Sequence, residues 1–352
     1  TRVDMNKKLH AVTRNEVAHA AGVSSALVSY VVNNGPRPVA PETRKKILAA
    51  IQQLGYKPNA MARNLRLQHS TTIGLIVPDI HNPYFAEVAR GVEQMASENG
   101  LTMILCHSDY KLEGELHYVE VLQAERSAGV IWFPATNSAK PAEQMANYGM
   151  PLVVLDRVVP SVRAPAVVAD NFRGGYLATQ HLIELGHRVI GCITRPMELY
   201  HSSERIRGFR AAMKDNWINV DESLLVGGGF RLDDGCIAAK RLMKNSPPPT
   251  AIFAYNDFMA IGALRAAYEL GLKVPDDLSI VGFDDIPQAA FTCPALTTIS
   301  QPKFEMGREG VALLLEAMKE PMLISNPNAP LPVKLIIRES TGSHSPNPSG
   351  SV

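Results

Sequence analysis

The chain has 352 residues, of which 46% are hydrophobic and 20% charged, a composition typical of a globular protein with room for two or three domains. No apolar stretch has the length of a membrane-spanning helix, so we expect no membrane partner. The formal net charge is +1, but residues 1–66 hold eleven Lys or Arg against three Asp or Glu, and the remainder holds 24 against 31. A basic segment joined to an acidic body predicts that a polyanion binds the first segment only.

The four cysteines are far apart and have neither a CxxC motif nor the spacing of metal ligands. We therefore expect buried free thiols in a reducing cytosol. The N-terminus carries charge but no apolar signal core, which predicts a cytoplasmic protein. The ten histidines lack ligand spacing, and no P-loop, HExxH, GxSxG or strand-linked GxGxxG occurs. The sequence therefore predicts no metal site, no cofactor and no enzymatic activity.

The first predicted elements are three short helices. Thr13 and Glu16 have the spacing of a capping box and open the first helix, which Gly22 ends. A second helix is predicted over 25–32, and Pro41 begins a third. Two helices around a glycine turn are typical of a helix-turn-helix, whose second helix enters the DNA major groove. An ordinary helical hairpin is the alternative, and the basic charge favours DNA binding.

A short segment, 58–66, follows the three helices. Asn59 can cap a helix behind Pro58, and no residue from 60 to 66 breaks one. Isolated helices under roughly 12 residues are marginal in water, so this helix would form only when docked on a partner. The segment is therefore interpreted as a hinge, with a plain interdomain linker as the alternative.

The remainder of the chain alternates apolar runs of strand length with amphipathic helical patterns. Strands are predicted at 73–77, 102–105, 130–133, 152–155, 189–193, 251–254, 279–283 and 335–337. Strands buried on both faces and separated by helices predict doubly wound parallel sheets. Their number exceeds what one such sheet needs, which predicts two lobes. The tail from Gly342 is rich in Ser, Pro and Gly and is expected to be disordered.

Polar and aromatic side chains follow the carboxyl ends of these strands, where open α/β sheets bind ligands. The candidate binding residues are Asn82, Tyr84, Phe85, Asp156, Arg157, Arg205, Phe230, Asn256, Phe283, Asp284 and Gln301. Aromatic rings pack on the C–H faces of a sugar, while Asp and Arg accept from and donate to its hydroxyls. Asp257 and Asp285 stand where helix caps or turns belong, and we assign them structural roles.

These motifs resemble the LacI/GalR family of bacterial repressors, from the head with its Ala21-Gly22-Val23-Ser24 turn, through the hinge 58–65, out to about Thr341. The resemblance implies a small all-α head joined to a two-lobed α/β domain like the periplasmic binding proteins. The implied limits are 1–57 for the head, 58–70 for the hinge helix and linker, 71–341 for the two-lobed domain and 342–352 for the tail. Lobe 1 would comprise about 71–170 and 302–329, and lobe 2 about 171–301 and 330–341.

The resemblance also implies which residues meet DNA. Ser25, Ala26 and Tyr30 would read bases, and Tyr30 departs from the arginine that is frequent there and pairs with guanine. Leu65 would wedge between base pairs at the operator centre. The full expected set is Thr13, Ser24, Ser25, Ala26, Ser29, Tyr30, Asn33, Arg37, Thr43, Arg44, Tyr56, Asn59, Ala62, Arg63, Leu65 and Arg66.

The candidate pocket is similar to that of ribose-binding proteins, whereas purine-binding relatives are apolar at the position of Arg157. This favours a neutral monosaccharide as the effector, with ribose first. The sequence thus predicts a sugar-responsive repressor that binds a palindromic operator as a homodimer, with a tetramer as the alternative assembly. The alternatives are a sugar-binding transport receptor without a regulatory role, a regulator of a non-sugar effector such as a nucleobase, and an enzyme on the same fold. The effector could act as inducer or as corepressor.

Arg63 and Leu65 are expected to contribute to DNA binding in different ways. Arg63→Ala should weaken binding to all sequences alike and reduce the salt slope by about one unit, because Arg63 would meet phosphate. Leu65→Ala should leave the slope unchanged and lose affinity mainly where the central base step unstacks easily. Titrations at several salt concentrations on two operators that differ only at the centre measure both effects. Equal losses on both operators would contradict the wedge.

Overall fold

The computed structural model describes residues 12–32, 38–56, 70–159, 161–195, 200–320 and 329–344. The chain divides into two compact units, Thr1–Ser70 and Thr71–Val352. Of the hinge, 58–70, only Ser70 lies within the described residues. Within the described ranges, no helix has the length and hydropathy needed to cross a bilayer.

The first unit contains three helices, α1 (Arg14–Ala21), α2 (Ser25–Val32) and α3 (Pro41–Leu54). The Thr13 backbone N–H donates to Glu16 Oε2 at 2.6 Å, and the Glu16 N–H donates to the Thr13 hydroxyl at 3.4 Å, so the predicted capping box is present. Gly22 ends α1 with φ of 64°, a left-handed conformation that glycine adopts without steric cost. The three helices enclose a core that includes Val17, Val28 and Ile47. The helix-turn-helix prediction is confirmed.

The second unit contains two parallel sheets. Its strands are β1 (Thr72–Val77), β2 (Thr102–His107), β3 (Val130–Trp132), β4 (Leu152–Leu155), β5 (Ala166–Val167), β6 (Ile190–Thr194), β7 (Leu225–Gly227), β8 (Ala251–Ala254), β9 (Ser279–Val281), β10 (Thr298–Ser300) and β11 (Lys334–Ile336). The first sheet has the strand order β2-β1-β3-β4-β5, and the second has the order β7-β6-β8-β9. Strands β10 and β11 pair antiparallel.

Helices cover these sheets, as the alternating pattern predicted. They are α4 (Pro83–Glu98), α5 (Leu112–Ala124), α6 (Lys140–Asn147), α7 (Asn171–Glu184), α8 (Tyr200–Asp215), α9 (Leu232–Leu242), α10 (Asp257–Glu269) and α11 (Lys303–Lys319). Helix α11 packs on α4 and on the first sheet, although it follows the second sheet in the chain. We call the first sheet with α4–α6 and α11 the first lobe, and the second sheet with α7–α10 the second lobe. The predicted fold class, an all-α head plus doubly wound parallel sheets, is confirmed.

The segment from Gly342 to His344 is ordered by contacts with the second lobe, which corrects the expectation of disorder from Gly342 onwards. The His344 N–H donates to the Leu185 carbonyl at 2.7 Å, and its ring stacks on His187 with centroids 5.2 Å apart. The Gly342 N–H donates to the Ser279 hydroxyl at 3.1 Å. These hydrogen bonds satisfy backbone groups of the segment, and its Ser/Pro/Gly composition gives no sign of them. Residues 345–352 lie outside the described residues.

Facing glycines allow paired helices to approach closely. A Cβ atom added to Gly91 on α4 would lie 2.1 Å from the Phe304 carbonyl oxygen, and one added to Gly307 on α11 would lie 2.2 Å from the Val88 carbonyl oxygen. The same arrangement recurs between α7 and α8 and between α9 and α10. Because these contacts are with backbone rather than with flexible side chains, neither helix can yield without moving as a whole.

Gly91→Ala should therefore lower the free energy of unfolding. Overpacking costs about 1–3 kcal/mol, which exceeds the gain of up to about 1 kcal/mol that alanine brings to a helix. Urea unfolding of the full chain measures the change. Gly227→Ala is the matched control, because an added Cβ there meets no atom within 4 Å. Equal unfolding free energies for the two variants would contradict the close-contact explanation.

Candidate functional site

A small cavity lies between the two lobes, at the carboxyl ends of their parallel strands. It has a volume of about 30 Å³, room for a few water molecules. The residues that line it come from both lobes: Pro78, Asn82, Tyr84, Phe85, Tyr110, Phe133, Pro134, Asp156, Arg195, Arg205, Phe230, Tyr255, Asn256 and Asp284. Side chains of the two lobes thus converge on one polar and aromatic space.

The structure brings eight of the eleven candidate binding residues to this lining: Asn82, Tyr84, Phe85, Asp156, Arg205, Phe230, Asn256 and Asp284. The other three, Arg157, Phe283 and Gln301, are buried next to lining residues. Asn82 and Asn256 also cap helices, because their side-chain oxygens accept from the backbone N–H groups of Tyr84 and Met259 at 3.0 Å and 2.8 Å.

Two carboxylates face the cavity from opposite lobes. The Tyr84 hydroxyl donates to Asp156 Oδ1 at 2.9 Å, and the Gln301 amide donates to Asp284 Oδ1 at 2.7 Å. Both aspartates have positive φ, 72° for Asp156 and 117° for Asp284, so their strand ends hold a costly backbone conformation. Burial raises the pKa of Asp284 to about 7, although Arg205 and Lys303 act in the opposite direction. Gln301 is therefore not part of the cavity wall but positions the Asp284 side chain.

Arg205 is almost fully buried and is held on several sides. Its Nε donates to Asn171 Oδ1 at 2.7 Å, and its Nη1 donates to the Tyr255 carbonyl oxygen. The guanidinium carbon lies 3.6 Å from the centroid of the Phe283 ring. Phe283 therefore packs against Arg205 and is not one of the residues that line the cavity. Arg205 Nη2 is 3.9 Å from Asp284 Oδ1. The arrangement presents a donor and an acceptor side by side.

Six of the residues that line the cavity were not among the candidates, and three of them carry polar groups: Tyr110, Arg195 and Tyr255. The Arg195 guanidinium lies 3.1 Å from the centroid of Phe230 and donates to the Tyr255 hydroxyl at 3.3 Å, while Tyr110 stacks on the Phe230 ring. Arg195 and Tyr255 come directly after β6 and β8, and Tyr110 lies three residues after β2. At β6 and β8 the strand-end pattern indicated Arg205 and Asn256 and passed over Arg195 and Tyr255, whereas the end of β2 would have indicated Tyr110.

Arg157 and Glu115 are two buried polar side chains near the cavity. Arg157 is 1% exposed, and its three guanidinium nitrogens have no hydrogen-bond partner among the described residues. Burial lowers the pKa of Arg157 to about 10. Glu115 accepts from Trp132 Nε1 and from the Ala135 N–H at 2.7 Å each, and burial raises its pKa to about 7. Buried donors of this kind are satisfied by water or by ligand hydroxyls.

Asp257 and Asp285 have the structural roles assigned to them. Asp257 accepts from the Ile286 N–H at 2.8 Å and from the Thr298 hydroxyl, and burial raises its pKa. Asp285 accepts from Arg338 at 2.7 Å. Both carboxylates thus hold loops of the second lobe.

In the head, the structure places the described DNA-binding candidates on α1–α3 and at their ends. Ala26 and Arg44 are exposed, whereas Ser25, Ser29, Tyr30 and Thr43 are half-buried. Thr13 and Ser24 cap helices, and Tyr56 packs against the head core. Seven candidates lie outside the described residues: Asn33, Arg37, Asn59, Ala62, Arg63, Leu65 and Arg66.

A helix-turn-helix head joined to a two-lobed domain with a polar cavity defines a DNA-binding regulator that responds to a small molecule. Residues 13–59 match the family of bacterial regulatory proteins, lacI family, and residues 179–341 match the periplasmic binding protein-like domain. The repressor PurR of Edwardsiella ictaluri (strain 93-146) is 40% identical over 306 residues, which cover 86% of this chain and 89% of that protein.

Two solved structures extend the similarity. The Lac repressor dimer bound to operator and the anti-inducer ONPF has a TM-score of 0.83 and 28% identity, covering 94% of this chain and 99% of that one. A LacI family regulator from Enterococcus faecium with bound ribose has a TM-score of 0.71 and 33% identity, covering 78% of this chain and 100% of that one. The chain therefore belongs to the LacI family of bacterial transcriptional regulators. It is a DNA-binding repressor with an effector-binding domain and not an enzyme, as predicted.

The raised pKa of Asp284 predicts a pH dependence of stability. Between about pH 4 and 7 the folded carboxyl keeps a proton that the unfolded one has lost, so stability falls as pH rises through this range. Asp284→Asn should remove about 2–3 kcal/mol of the stability difference between pH 5 and pH 8. Urea unfolding at both pH values measures it. The exposed Asp276→Asn is the control, and an unchanged difference in Asp284→Asn would contradict the assignment.

Proposed function

We propose that this protein is a cytoplasmic repressor that binds a palindromic operator as a homodimer and responds to a monosaccharide, with a ribose-like pentose first. The head would comprise residues 1–57 and the hinge 58–70. The observation that carries the proposal is the pair Asp156 and Asp284, which face one cavity from opposite lobes beside the buried donor Arg205.

This arrangement suits a compact polyol. Adjacent hydroxyls can donate to a carboxylate and accept from Arg205, while Tyr84 and Phe85 offer ring surfaces to the C–H faces of the sugar. Because the contacts come from both lobes, an effector would bridge them and favour the closed state. Coupling of this kind is typically about 1–3 kcal/mol between two sites. We propose that it changes the operator affinity of the head.

A nucleobase effector is the second candidate, because several relatives carry the name PurR. A planar base needs an open slot between rings or apolar side chains. Here Tyr110 and Phe230 already stack on each other with centroids 3.9 Å apart. The ribose bound to the Enterococcus faecium relative also supports the sugar.

A thermal-shift screen of the full chain against pentoses, hexoses and nucleobases tests the proposal. A ligand at 100 times its Kd should add about 2.7 kcal/mol to stability. A hit is then titrated against operator DNA by fluorescence anisotropy, where it should change operator affinity. A screen in which only nucleobases bind would overturn the sugar assignment.

Arg205→Met should weaken binding of the hit and the response to it, while it leaves the operator affinity of the unliganded protein nearly unchanged. The loss of a buried hydrogen-bonding partner costs about 1–3 kcal/mol, which is about 5- to 150-fold in affinity. Arg207→Met is the matched control, because Arg207 lies on the same helix with its side chain 65% exposed. Calorimetry of both variants measures the affinity. An Arg205→Met protein that binds as tightly as the control would remove Arg205 from the site.

A further inference from the structure

Two loops from opposite lobes meet over the cavity. The Tyr110 ring, after β2, stacks on the Phe230 ring, before α9, with centroids 3.9 Å apart and planes 19° apart. Beside the stack, Arg231 Nη2 donates to Asp109 Oδ1 at 3.0 Å. We call these four residues, Asp109, Tyr110, Phe230 and Arg231, the interlobe clasp.

The backbone on the first-lobe side of the clasp is strained. Asp109 and Tyr110 have φ of 53° and 57°, and consecutive left-handed residues without glycine persist only where the surroundings impose them. On the second-lobe side, Asp234 accepts from the N–H groups of Phe230 and Arg231 at 2.8 Å and 2.9 Å. Both halves of the clasp are therefore held in position by their own lobes.

Both rings of the stack form part of the cavity wall. Phe230 cannot move inwards, since the Arg195 guanidinium lies 3.1 Å from its centroid. A monosaccharide is larger than the cavity volume of about 30 Å³ and has to widen the cavity, and a longer ligand that extends past this wall would also have to separate Tyr110 from Phe230.

We propose that the interlobe clasp is a lid that limits the effector to a single sugar ring and slows its release. The identity of the ligand in this inference rests on the proposed function, whereas the contacts of the clasp are independent of it. The Tyr110–Phe230 stack carries most of the effect, whereas the partly exposed Asp109–Arg231 pair contributes little and is screened by salt.

The first test needs no effector. Hydrogen exchange of the full-length protein is compared between wild type and Tyr110→Ala over residues 107–112 and 228–232. If the clasp holds the lobes together, Tyr110→Ala should raise exchange about 2- to 12-fold in the second-lobe segment, 228–232, as well as in its own loop. Tyr268→Ala, an exposed second-lobe tyrosine, is the control and should change neither segment. A change confined to residues 107–112 would overturn the clasp.

The second test uses the monosaccharide that binds most tightly in the screen and disaccharides that contain it. Wild type should bind the monosaccharide and reject the disaccharides. Tyr110→Ala and Phe230→Ala should release the monosaccharide about 2- to 12-fold faster, and the double variant should be no faster than the single ones. Tyr110→Ala should also admit a disaccharide.

The outcomes separate the two proposals. Wild-type protein that binds the disaccharide as tightly as the monosaccharide would overturn the size limit but leave the sugar site intact. If no sugar binds at all, the proposal of a sugar effector fails. The hydrogen-exchange result still supports or overturns the clasp in that case. Additive effects of Tyr110→Ala and Phe230→Ala on release would show that the two rings act separately, against the lid.

Discussion

The burial of Arg205 is the constraint on which the effector site depends. A permanent charge at 3% exposure is stable only if its donors are used, and the donors reach Asn171 at the start of α7 and the backbone after β8. Its flat face packs on the Phe283 ring, and its Nη2 lies 3.9 Å from Asp284 Oδ1. One side chain thus links four segments of the second lobe and sets the geometry of the acceptor that faces the cavity.

The same strand end is attached to the other lobe. Lys303, at the start of α11, donates to the carbonyl oxygens of Asp284 and Asp285. Helix α11 belongs to the first lobe by packing, and facing glycines hold it tightly against α4. A shift of Asp284 would therefore displace Lys303 and helix α11, which cannot move independently of α4. This contact provides a physical route by which occupation of the cavity can alter the relation between the lobes.

Local rules were sufficient for much of the molecule. The capping box of Thr13 and Glu16 and the left-handed Gly22 are decided within a few residues, so the pattern predicts them directly. Parallel strands have their carboxyl ends at one edge, so residues after strands could be placed near a common site. The same rule missed Tyr110, which lies three residues beyond the end of β2. Helix α6 was not predicted either; unlike α1, it has no side-chain cap to mark its first residue.

The sequence by itself therefore determined the class of fold, the division between a basic head and an α/β body, and most of the residues near the cavity. It did so because capping, periodicity and charge act over short distances along the chain. Only the tertiary structure decided which residues line the cavity and which support it: Phe283 lies under Arg205, and Gln301 holds Asp284. The stack of Tyr110 on Phe230 likewise joins residues 120 positions apart in the chain, and depends on how the two lobes close. No local pattern encodes such a contact, because it forms only when separately folded sheets meet.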